Sequence, residues 1–451
     1  MKRYPNILFL MSDEHRFDVS GFMGNSIVRT PNLDKLAQDA VIFDNAYSPN
    51  PICVPARQCL AMGEYASQCG CISYGQDLPP QSRTFARLFT QTGYTTIASG
   101  KLHHQGMDQM QGWMIRVAGD CNIERHFFGV ENPPALCKHP SFKWSESKEI
   151  KNAGPGDSAY LRRDRLAVQG LKDMIYEQFV DSAYDRAVFE QPTMLYLGLL
   201  NPHYPYIAEE KLFNYYLNRV EPYDNTDEFK HYYLKKCPNE IGSVQIGKQV
   251  TQREVKRAMA AYYANIETID RQYGEILTEL QNAGHDLDDW IIIYASDHGE
   301  MLGEHSQWEK KKFFEGSVRV PLFIRYPKRF KPKRIKENVN LVDIFETLCE
   351  LCNIEHPKSL ASRSLVPLME GKGKAWCNET FSELIDNLMI KKDNLKYHCY
   401  PDSSEILFDL ERNPEETINF IDDKSYDIEV EWFRNRAKEF KISVKNKNPL
   451  Y

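Results

Sequence analysis

Three strongly apolar runs along the chain each end in acidic residues or histidine. Runs of this length and composition are typical of strands that are buried on both faces of a sheet. The runs and the polar residues that follow them are 6–11 before Asp13 and Glu14, 193–200 before His203, and 290–295 before Asp297 and His298. Because open α/β sheets bind ligands at the carboxyl ends of their strands, the pattern predicts a site at that edge.

Helical spacing and turn residues divide the rest of the chain into further elements. Helices are predicted over 32–39, 84–91, 163–189 and 253–283, and shorter strands over 41–43 and 94–98. This alternation predicts an α/β domain over residues 1–369, built on a large mixed, mostly parallel sheet flanked by helices. After residue 370 the strand-like pieces 379–384, 394–400 and 405–410 and a helical stretch over 427–440 predict a smaller α+β subdomain, 370–451, on an antiparallel sheet.

Composition and charge narrow the classes of function. The 451 residues are 42% hydrophobic and 26% charged, which is ordinary for a globular protein. A net charge of −7 without massed basic residues argues against a nucleic-acid binder. The first apolar run is too short for a signal peptide and no window approaches the length of a membrane span, so the sequence as written predicts a cytoplasmic protein without a membrane partner.

Cysteine usage indicates reduced thiols. The 11 cysteines are odd in number and form no zinc-like pair of CxxC motifs. Cys349 and Cys352 lie in an apolar helical pattern, which favours a place in the core over a redox or metal role.

Carboxylates and an imidazole follow two of the predicted strands. If these strands are neighbours in the sheet, Asp13, Glu14, Asp297 and His298 meet around one point. An oxygen-rich set of this kind suits a hard divalent cation, Ca²⁺ first, with Mg²⁺ or Mn²⁺ as alternatives. Acidic loop tips that bind no metal are the other interpretation of each pair taken singly.

A cysteine precedes a predicted helix in the segment PICVPAR, residues 51–57. Cys53 lies just ahead of Pro55, a residue that suits the first helical position, and Arg57 follows one turn beyond the cysteine. A helix N-terminus favours anionic groups, and the guanidinium can bond an oxyanion. As a plain thiol, Cys53 is equally compatible with a small buried core residue, so the residues themselves leave both interpretations open.

The same segment matches the C-x-P-x-R signature of the Cys-type sulfatases, a family with the alkaline phosphatase-like fold. Further blocks resemble this family and follow in its order across residues 6–420. They are Asp13-Glu14, TPNLD at 30–34, GKLH at 100–103, NPH at 201–203, SDHGE at 296–300, Lys310 ahead of Glu315, and LFDL at 407–410 with NPEE at 413–416. On these motifs together the chain is identified as a member of the family.

The resemblance implies a chemistry and a role for each matching residue. In the family a maturase oxidises the cysteine to formylglycine, whose hydrated, metal-bound form attacks the sulfur of a sulfate monoester. The implied metal ligands are Asp13, Glu14, Asp297, His298 and the formylglycine formed from Cys53. The other implied roles are Lys101 and Lys310 as sulfate ligands, Arg57 orienting the formylglycine, His203 as general acid, and His103 as the base that releases sulfate.

Two positions depart from the family's pattern. Many sulfatases carry Asp-Asp at the first metal pair and Asp-Asn at the second, whereas this chain has Asp13-Glu14 and Asp297-His298. The side chain of Glu14 is one methylene longer than that of aspartate. We expect it to bind the metal from a shifted position or to contact the metal ligands without binding the metal itself. The imidazole of His298 gives a mixed oxygen and nitrogen sphere, which weakens the preference for Ca²⁺ over Mn²⁺.

The segments around 100–113 and 310–317 look most like the choline sulfatase branch of the family. A quaternary ammonium substrate needs aromatic walls, and Trp113 is a candidate wall, with packing of its loop as the alternative. His104 fits a packing role better than a substrate contact. Many carbohydrate sulfatases share the same blocks, so the expected substrate is a small-molecule or carbohydrate sulfate ester.

Two other functions stay open on the sequence. Relatives with this architecture and an Asp-His second pair hydrolyse phosphonate monoesters or phosphodiesters, but Lys101 and Lys310 together favour a sulfate site. A binding protein whose Cys53 is never oxidised is the third hypothesis, and the filled catalytic positions argue against it. The expected partners are the sulfate ester and a formylglycine-generating maturase, and a homo-oligomer is compatible with the sequence.

Overall fold

The computed structural model describes residues 4–104, 106–120, 146–180, 191–223, 244, 246–355 and 361–447. Its centre is a nine-stranded sheet in the order β11-β2-β10-β8-β1-β6-β3-β4, with β9 paired to β2. The strands are β1 (Asn6–Asp13), β2 (Val41–Tyr47), β3 (Thr95–Gly100), β4 (Ile115–Arg116), β6 (Thr193–Pro202), β8 (Trp290–Ser296), β9 (Arg319–Val320), β10 (Leu322–Arg325) and β11 (Lys333–Asn340). Two short strands, β5 (Gly154–Pro155) and β7 (Ile207–Ala208), pair separately.

The strand directions confirm the predicted fold class. β1 pairs in parallel with both β6 and β8, and β3 pairs in parallel with β4 and β6. β10 runs antiparallel to β2 and β8, which makes the sheet mixed. The three apolar runs predicted as strands are therefore adjacent at the centre of the sheet.

Alternate side chains of β1 pack into two separate cores because successive residues of a strand point to opposite faces. Ile7, Phe9 and Met11 belong to one buried cluster and Leu8 and Leu10 to the other. Each cluster is completed by helices, so both faces of the sheet are covered. This explains why the run is continuously apolar and does not alternate.

Helices surround the sheet on both faces. The described helices are Pro31–Gln38, Cys53–Met62, Ala66–Cys69, Phe85–Gln91, Glu146–Lys151, Ala159–Phe179, Glu210–Leu217, Gln252–Asn282, Glu315–Val318, Asp343–Cys352, Val366–Met369 and Asp427–Lys447. The longest begins with a capping box in which Thr251 and Glu254 satisfy each other's backbone N–H groups. The helix predicted over 163–189 is observed as Ala159–Phe179, and residues 181–189 lie outside the described part.

The helix that carries Cys53 begins earlier than its proline suggested. Ile52 is its N-cap and Cys53 its first residue, so Pro55 is the third helical residue and not the first. The first N–H groups of a helix have no intrahelical acceptor, so proline at this position sacrifices no hydrogen bond. Cys53 consequently lies inside the first turn.

A four-stranded antiparallel sheet forms the carboxyl-terminal part of the chain. Its strands are β12 (Glu379–Leu384), β13 (Asn387–Lys392), β14 (Leu395–Cys399) and β15 (Glu405–Asp409). The terminal helix packs on it, with the rings of Phe433 and Tyr397 stacked 5.2 Å apart. The strand β13 was not predicted from the sequence. The division of the chain into two domains between residues 369 and 370 stays a prediction.

Two smaller observations complete the fold. Cys349 and Cys352 are buried free thiols on the helix Asp343–Cys352, in agreement with the predicted core role. Among the described helices there is none whose length and apolar character would let it cross a bilayer.

Close contact between β3 and β6 fixes the backbone ahead of Lys101. Gly100 has φ +84°, and a side chain there would overlap with the carbonyl oxygen of Gly198, which accepts the N–H of Lys101 at 2.8 Å. Gly93 has a similar φ of +96° with no neighbour where a Cβ would lie.

We predict that Gly100→Ala destabilises the fold by about 3 kcal/mol, because left-handed strain and overpacking add. Gly93→Ala is the matched control and is expected to lose only about 1 kcal/mol, from the strain alone. Chemical denaturation of both variants measures the two losses. Equal losses would contradict the role given to the contact between Gly100 and Gly198.

Candidate active site

The carboxyl ends of β1 and β8 bring the two acidic pairs together. Ser12 is in register with Ser296, so Asp13 and Asp297 leave neighbouring strands at the same height. The backbone N–H of Glu14 donates to Asp297 Oδ1 at 3.1 Å and ties the two strand ends together. The structure thus confirms that the strands are neighbours, the condition on which the predicted site depended.

The geometry of His298 suits a metal ligand. Its Nδ1 lies 3.0 Å from the carbonyl oxygen of Gly299 and must donate, because a carbonyl only accepts. Burial lowers the pKa of His298 to about 3, so the imidazole is neutral and Nε2 carries a lone pair. That lone pair faces carboxylate oxygens of Asp13 and Asp297 at 3.6 and 3.7 Å. Acceptors that face one another in a dry site repel, and a cation bound between them would offset that repulsion.

The donor set fits a divalent metal. All four residues of the two acidic pairs are fully buried. Within the described residues, Asp13 Oδ1 and His298 Nε2 have no hydrogen-bond partner. Ligand atoms close enough to share one ion occur in two overlapping sets: Asp13, Asp297 and His298, and Asp13, Glu14 and His203. The second set adds His203, for which the family resemblance had implied only the role of general acid.

Each buried carboxylate also has a cationic partner from another part of the chain. Arg57 Nε donates to Asp297 Oδ2 at 2.7 Å, and Lys310 Nζ donates to Glu14 Oε2 at 2.9 Å. Lys101 forms an ion pair with Asp13. Burial by itself would raise the pKa of Asp297, but the charge of Arg57, together with smaller contributions that include Lys101 and the backbone N–H of Glu14, outweighs it and holds that pKa well below its usual range.

Cys53 lies beside these charges as a buried thiol. Its residue is 4% exposed, and it interacts electrostatically with Lys310, Asp297, Arg57 and Glu14. Burial raises the pKa of the thiol to about 11 despite the opposing effect of Lys310. At neutral pH the unmodified side chain is a neutral thiol, which is a weak nucleophile.

His203 contacts both the acidic cluster and a lysine. Its Nδ1 donates to the carbonyl oxygen of Tyr204 at 2.6 Å, so Nε2 accepts from Lys310 Nζ at 2.5 Å. Burial, then the charges of Lys310 and Lys101, hold the pKa of His203 well below its usual range. His203 is therefore neutral in the resting site, and Lys310 connects it to Glu14.

His103 approaches the cysteine helix through its backbone. Its carbonyl oxygen accepts from Gln58 Nε2 at 2.7 Å, and its N–H donates to Asp120 Oδ1 at 2.9 Å. These bonds hold the loop after β3 against the helix of Cys53. Both bonds are made by the backbone of His103, so the role that the resemblance implies for its imidazole stays a prediction.

Trp113 and His104 occupy packing positions. Trp113 is 3% exposed, and its ring lies 5.8 Å from Phe85 and 5.6 Å from Tyr196 within the core. Trp113 is therefore not an open aromatic wall, and its alternative packing role is the one observed. His104 is also buried, 3.9 Å from Asp77.

Tyr196, which orients Arg57, was not among the residues predicted from the sequence. It lies in β6, and its hydroxyl accepts from Arg57 Nη1 at 2.9 Å and donates to the carbonyl oxygen of Lys101 at 3.0 Å. An aromatic residue inside a buried strand gives no signal of such a role, because its periodicity is that of any core residue.

Comparisons with known proteins agree with this geometry. The sulfatase family model matches residues 5–354, and the model of the N-sulphoglucosamine sulphohydrolase carboxyl-terminal region matches residues 303–442. An arylsulfatase of Clostridium perfringens is 27% identical over 95% of this chain and 93% of its own. A choline-sulfatase of Rhizobium meliloti is 28% identical over 93% of this chain and 82% of its own.

Solved structures share the fold. A protein solved in complex with its substrate D-glucosamine-2-N,6-O-disulfate superposes with a TM-score of 0.78 at 19% identity, covering 99% of both chains. The phosphonate monoester hydrolase of Agrobacterium radiobacter superposes with a TM-score of 0.75 at 22% identity, covering 98% of this chain and 96% of its own. The chain belongs to the sulfatase family and is a sulfuric ester hydrolase.

We predict that His298→Ala weakens binding of Mn²⁺ at least about tenfold, because it removes a nitrogen ligand. Binding of Ca²⁺, which prefers oxygen ligands, is expected to weaken less. Isothermal titration calorimetry of the metal-free protein measures both. Glu383→Gln, which removes a buried carboxylate outside the cluster, is the control. A Mn²⁺ affinity of His298→Ala within twofold of the parent would exclude His298 as a ligand.

Proposed function

We propose that this protein hydrolyses a sulfate monoester to an alcohol and inorganic sulfate, with formylglycine formed from Cys53 as the nucleophile. The observation that carries the proposal is the meeting of Cys53, two lysines and a buried carboxylate cluster at one strand edge. A bound divalent metal would lower the pKa of the nucleophile and neutralise charge, and the formylglycine would supply the attacking oxygen. Asp13, Glu14, Asp297 and His298 would hold the metal, with Ca²⁺ first and Mn²⁺ or Mg²⁺ as alternatives.

Lys101 and Lys310 are proposed to bind the sulfate oxygens. A sulfate ester carries a delocalised negative charge that repels nucleophiles, so cations must flank it without blocking access to sulfur. The two lysines come from different parts of the chain, one after β3 and the other from the segment before the helix Glu315–Val318. A metal bound by the carboxylates would compete with both lysines for the same oxygens and leave the ammonium groups for the ester.

His203 is proposed as the general acid for the departing alcohol. In the resting site the charges of Lys310 and Lys101 contribute to its low pKa. An anionic ester between these groups would offset both charges and raise the pKa of His203 toward the range in which it can carry the proton. Arg57, fixed by Asp297 and Tyr196, would orient the formylglycine, and His103 would accept the proton that accompanies sulfate release.

The substrate is proposed to be a small-molecule or carbohydrate sulfate. The relatives include an arylsulfatase, a choline-sulfatase and an N-acetylglucosamine-6-O-sulfatase of Bacteroides thetaiotaomicron. A maturase that oxidises Cys53 is the partner this chemistry requires. Phosphonate monoester hydrolysis is the second candidate, supported by the Agrobacterium enzyme's fold, while the presence of both Lys101 and Lys310 favours a sulfate site.

We predict sulfate release from at least one member of a panel containing an aryl sulfate, choline sulfate and sulfated mono- and disaccharides. The protein tested has conversion of Cys53 verified by mass spectrometry. Cys53→Ala is expected to abolish release, because the nucleophile is lost. Turnover of a phosphonate or phosphodiester with none of the sulfate esters would instead support the second candidate.

We predict that Lys101→Met lowers kcat/KM for the sulfate ester about 10²- to 10³-fold, the loss typical of one donor to a developing oxyanion. Initial rates with the best substrate of the panel measure this loss. Lys256→Met, which removes a surface lysine paired with Glu221, is the control and should leave the rate unchanged. A decrease in kcat/KM of less than threefold in Lys101→Met would show that this lysine does not bind the sulfate group.

A further inference from the structure

The segment from Lys310 to Val318 lies between the two sheets of the molecule. On the side of the large sheet, the N–H of Lys311 donates to the carbonyl oxygen of Pro51 at 3.1 Å. The N–H of Gly299, just beyond β8, donates to the carbonyl oxygen of Ser317 at 2.8 Å. These bonds tie the segment to Pro51, just ahead of the helix of Cys53, and to Gly299, next to His298.

Aromatic packing holds the same segment on the side of the carboxyl-terminal sheet. The ring of Phe313 lies 5.2 Å from the imidazole of His398 on β14. The ring of Phe314 lies 6.1 Å from Phe408 on β15. All four residues are fully buried. The residues that follow Lys310 therefore pack against the carboxyl-terminal sheet.

A buried ionic network holds this segment in place at Glu315, five residues after Lys310. Lys396 of β14 is fully buried, and its Nζ donates to Glu315 Oε1 at 2.9 Å. Lys396 also forms an ion pair with Glu416, whose Oε2 accepts the backbone N–H of Glu315 at 2.7 Å. The carboxyl-terminal part thereby holds both the side chain and the backbone of Glu315.

The charge of Lys396 is what keeps these two carboxylates together. Burial acts to raise the pKa of Glu315, but Lys396, then Arg319 and Lys391, outweigh it and lower that pKa to about 2. Without Lys396, Glu315 and Glu416 would face each other in a dry site, and removing one partner of a buried pair is strongly destabilising locally. The repulsion between the two carboxylates would weaken the hydrogen bond from the N–H of Glu315 to Glu416.

We infer that Lys396 is a positioning residue that fixes Lys310 in the sulfate site through Glu416 and Glu315. The inference rests on the proposed function for the role of Lys310, but the position of Lys310 can be measured without turnover. The carboxyl-terminal sheet thus contributes to the active site although its residues lie outside the metal cluster. A displacement of about 1 Å in a binding group is enough to change a rate about 10²-fold.

The test compares the chemical reactivity of two buried lysines in Lys396→Met. Lys310 and Lys101 are 4% and 3% exposed, and a lysine-acetylating reagent followed by mass spectrometry reports the rate at each. The expected result is an acetylation rate at Lys310 at least tenfold higher than in the parent, with Lys101 unchanged. Equal changes at both lysines, or no change at Lys310, would overturn the inference.

Kinetics and control variants complete the test. Lys396→Met should lower kcat/KM for 4-nitrophenyl sulfate about 10²-fold, and Lys396→Arg should restore the parent value within tenfold. Arg436→Met, which breaks the pair with Glu379 elsewhere in the same part of the chain, should leave Lys310 unchanged. If Lys396→Met does not fold, Glu416→Met, which removes the acceptor of the Glu315 N–H, should raise acetylation of Lys310 at least threefold, and an unchanged rate there would overturn the inference.

A failure of the proposed function has a different signature. In that case no sulfate ester is turned over by the converted parent, while selective acetylation of Lys310 in Lys396→Met still supports the positioning link.

Discussion

Three carboxylates buried at one strand edge impose the constraint on which the rest of the site depends. Asp13, Glu14 and Asp297 are fully buried. Isolated ionised groups are costly to remove from water, so each must be paired or must bind a metal. Their cationic partners come from three separate parts of the chain, which are the helix of Cys53, the loop after β3 and the segment before Glu315. The fold is arranged so that these parts converge.

Under the proposed function, the same cations stabilise the buried carboxylates and take part in the reaction. Arg57 stays with Asp297, supported by the hydroxyl of Tyr196. The two lysines hold carboxylates in the resting protein, and they are the groups that an anionic ester and a bound metal would redistribute. A site that must attract an anion to a cluster of carboxylates needs such exchangeable cations. The network at Lys396 extends this arrangement to the carboxyl-terminal sheet, where a buried pair holds the segment that carries Lys310.

The sequence predicted the features that depend on local pattern. The apolar runs predicted β1, β6 and β8, and the acidic residues after them predicted the cluster, because strand ends in a parallel sheet meet at one edge. The motif around Cys53 predicted its place at a helix start, although the helix begins at Cys53 and not at Pro55. These predictions needed only periodicity and motif order.

Features that depend on long-range contacts were not predictable in this way. Tyr196 resembles any strand residue in sequence, yet its hydroxyl holds Arg57. Lys396 and Glu416 are far from Glu315 along the chain, and hydropathy gives no sign that they meet it in a buried network. The strand β13 was missed because it ends in two lysines and follows β12 after a very short turn. From the sequence alone, Trp113 could line a substrate pocket or belong to the core, and only the residues that pack around it decide between these roles.

The most direct test of the central claim relates activity to the chemical state of residue 53. Preparations with different degrees of conversion are obtained by varying expression of the maturase, and mass spectrometry measures the fraction of aldehyde at Cys53 in each. The account predicts that the specific rate of sulfate release rises in proportion to that fraction, along a line through the origin. Full activity in a preparation whose Cys53 is an intact thiol would contradict it.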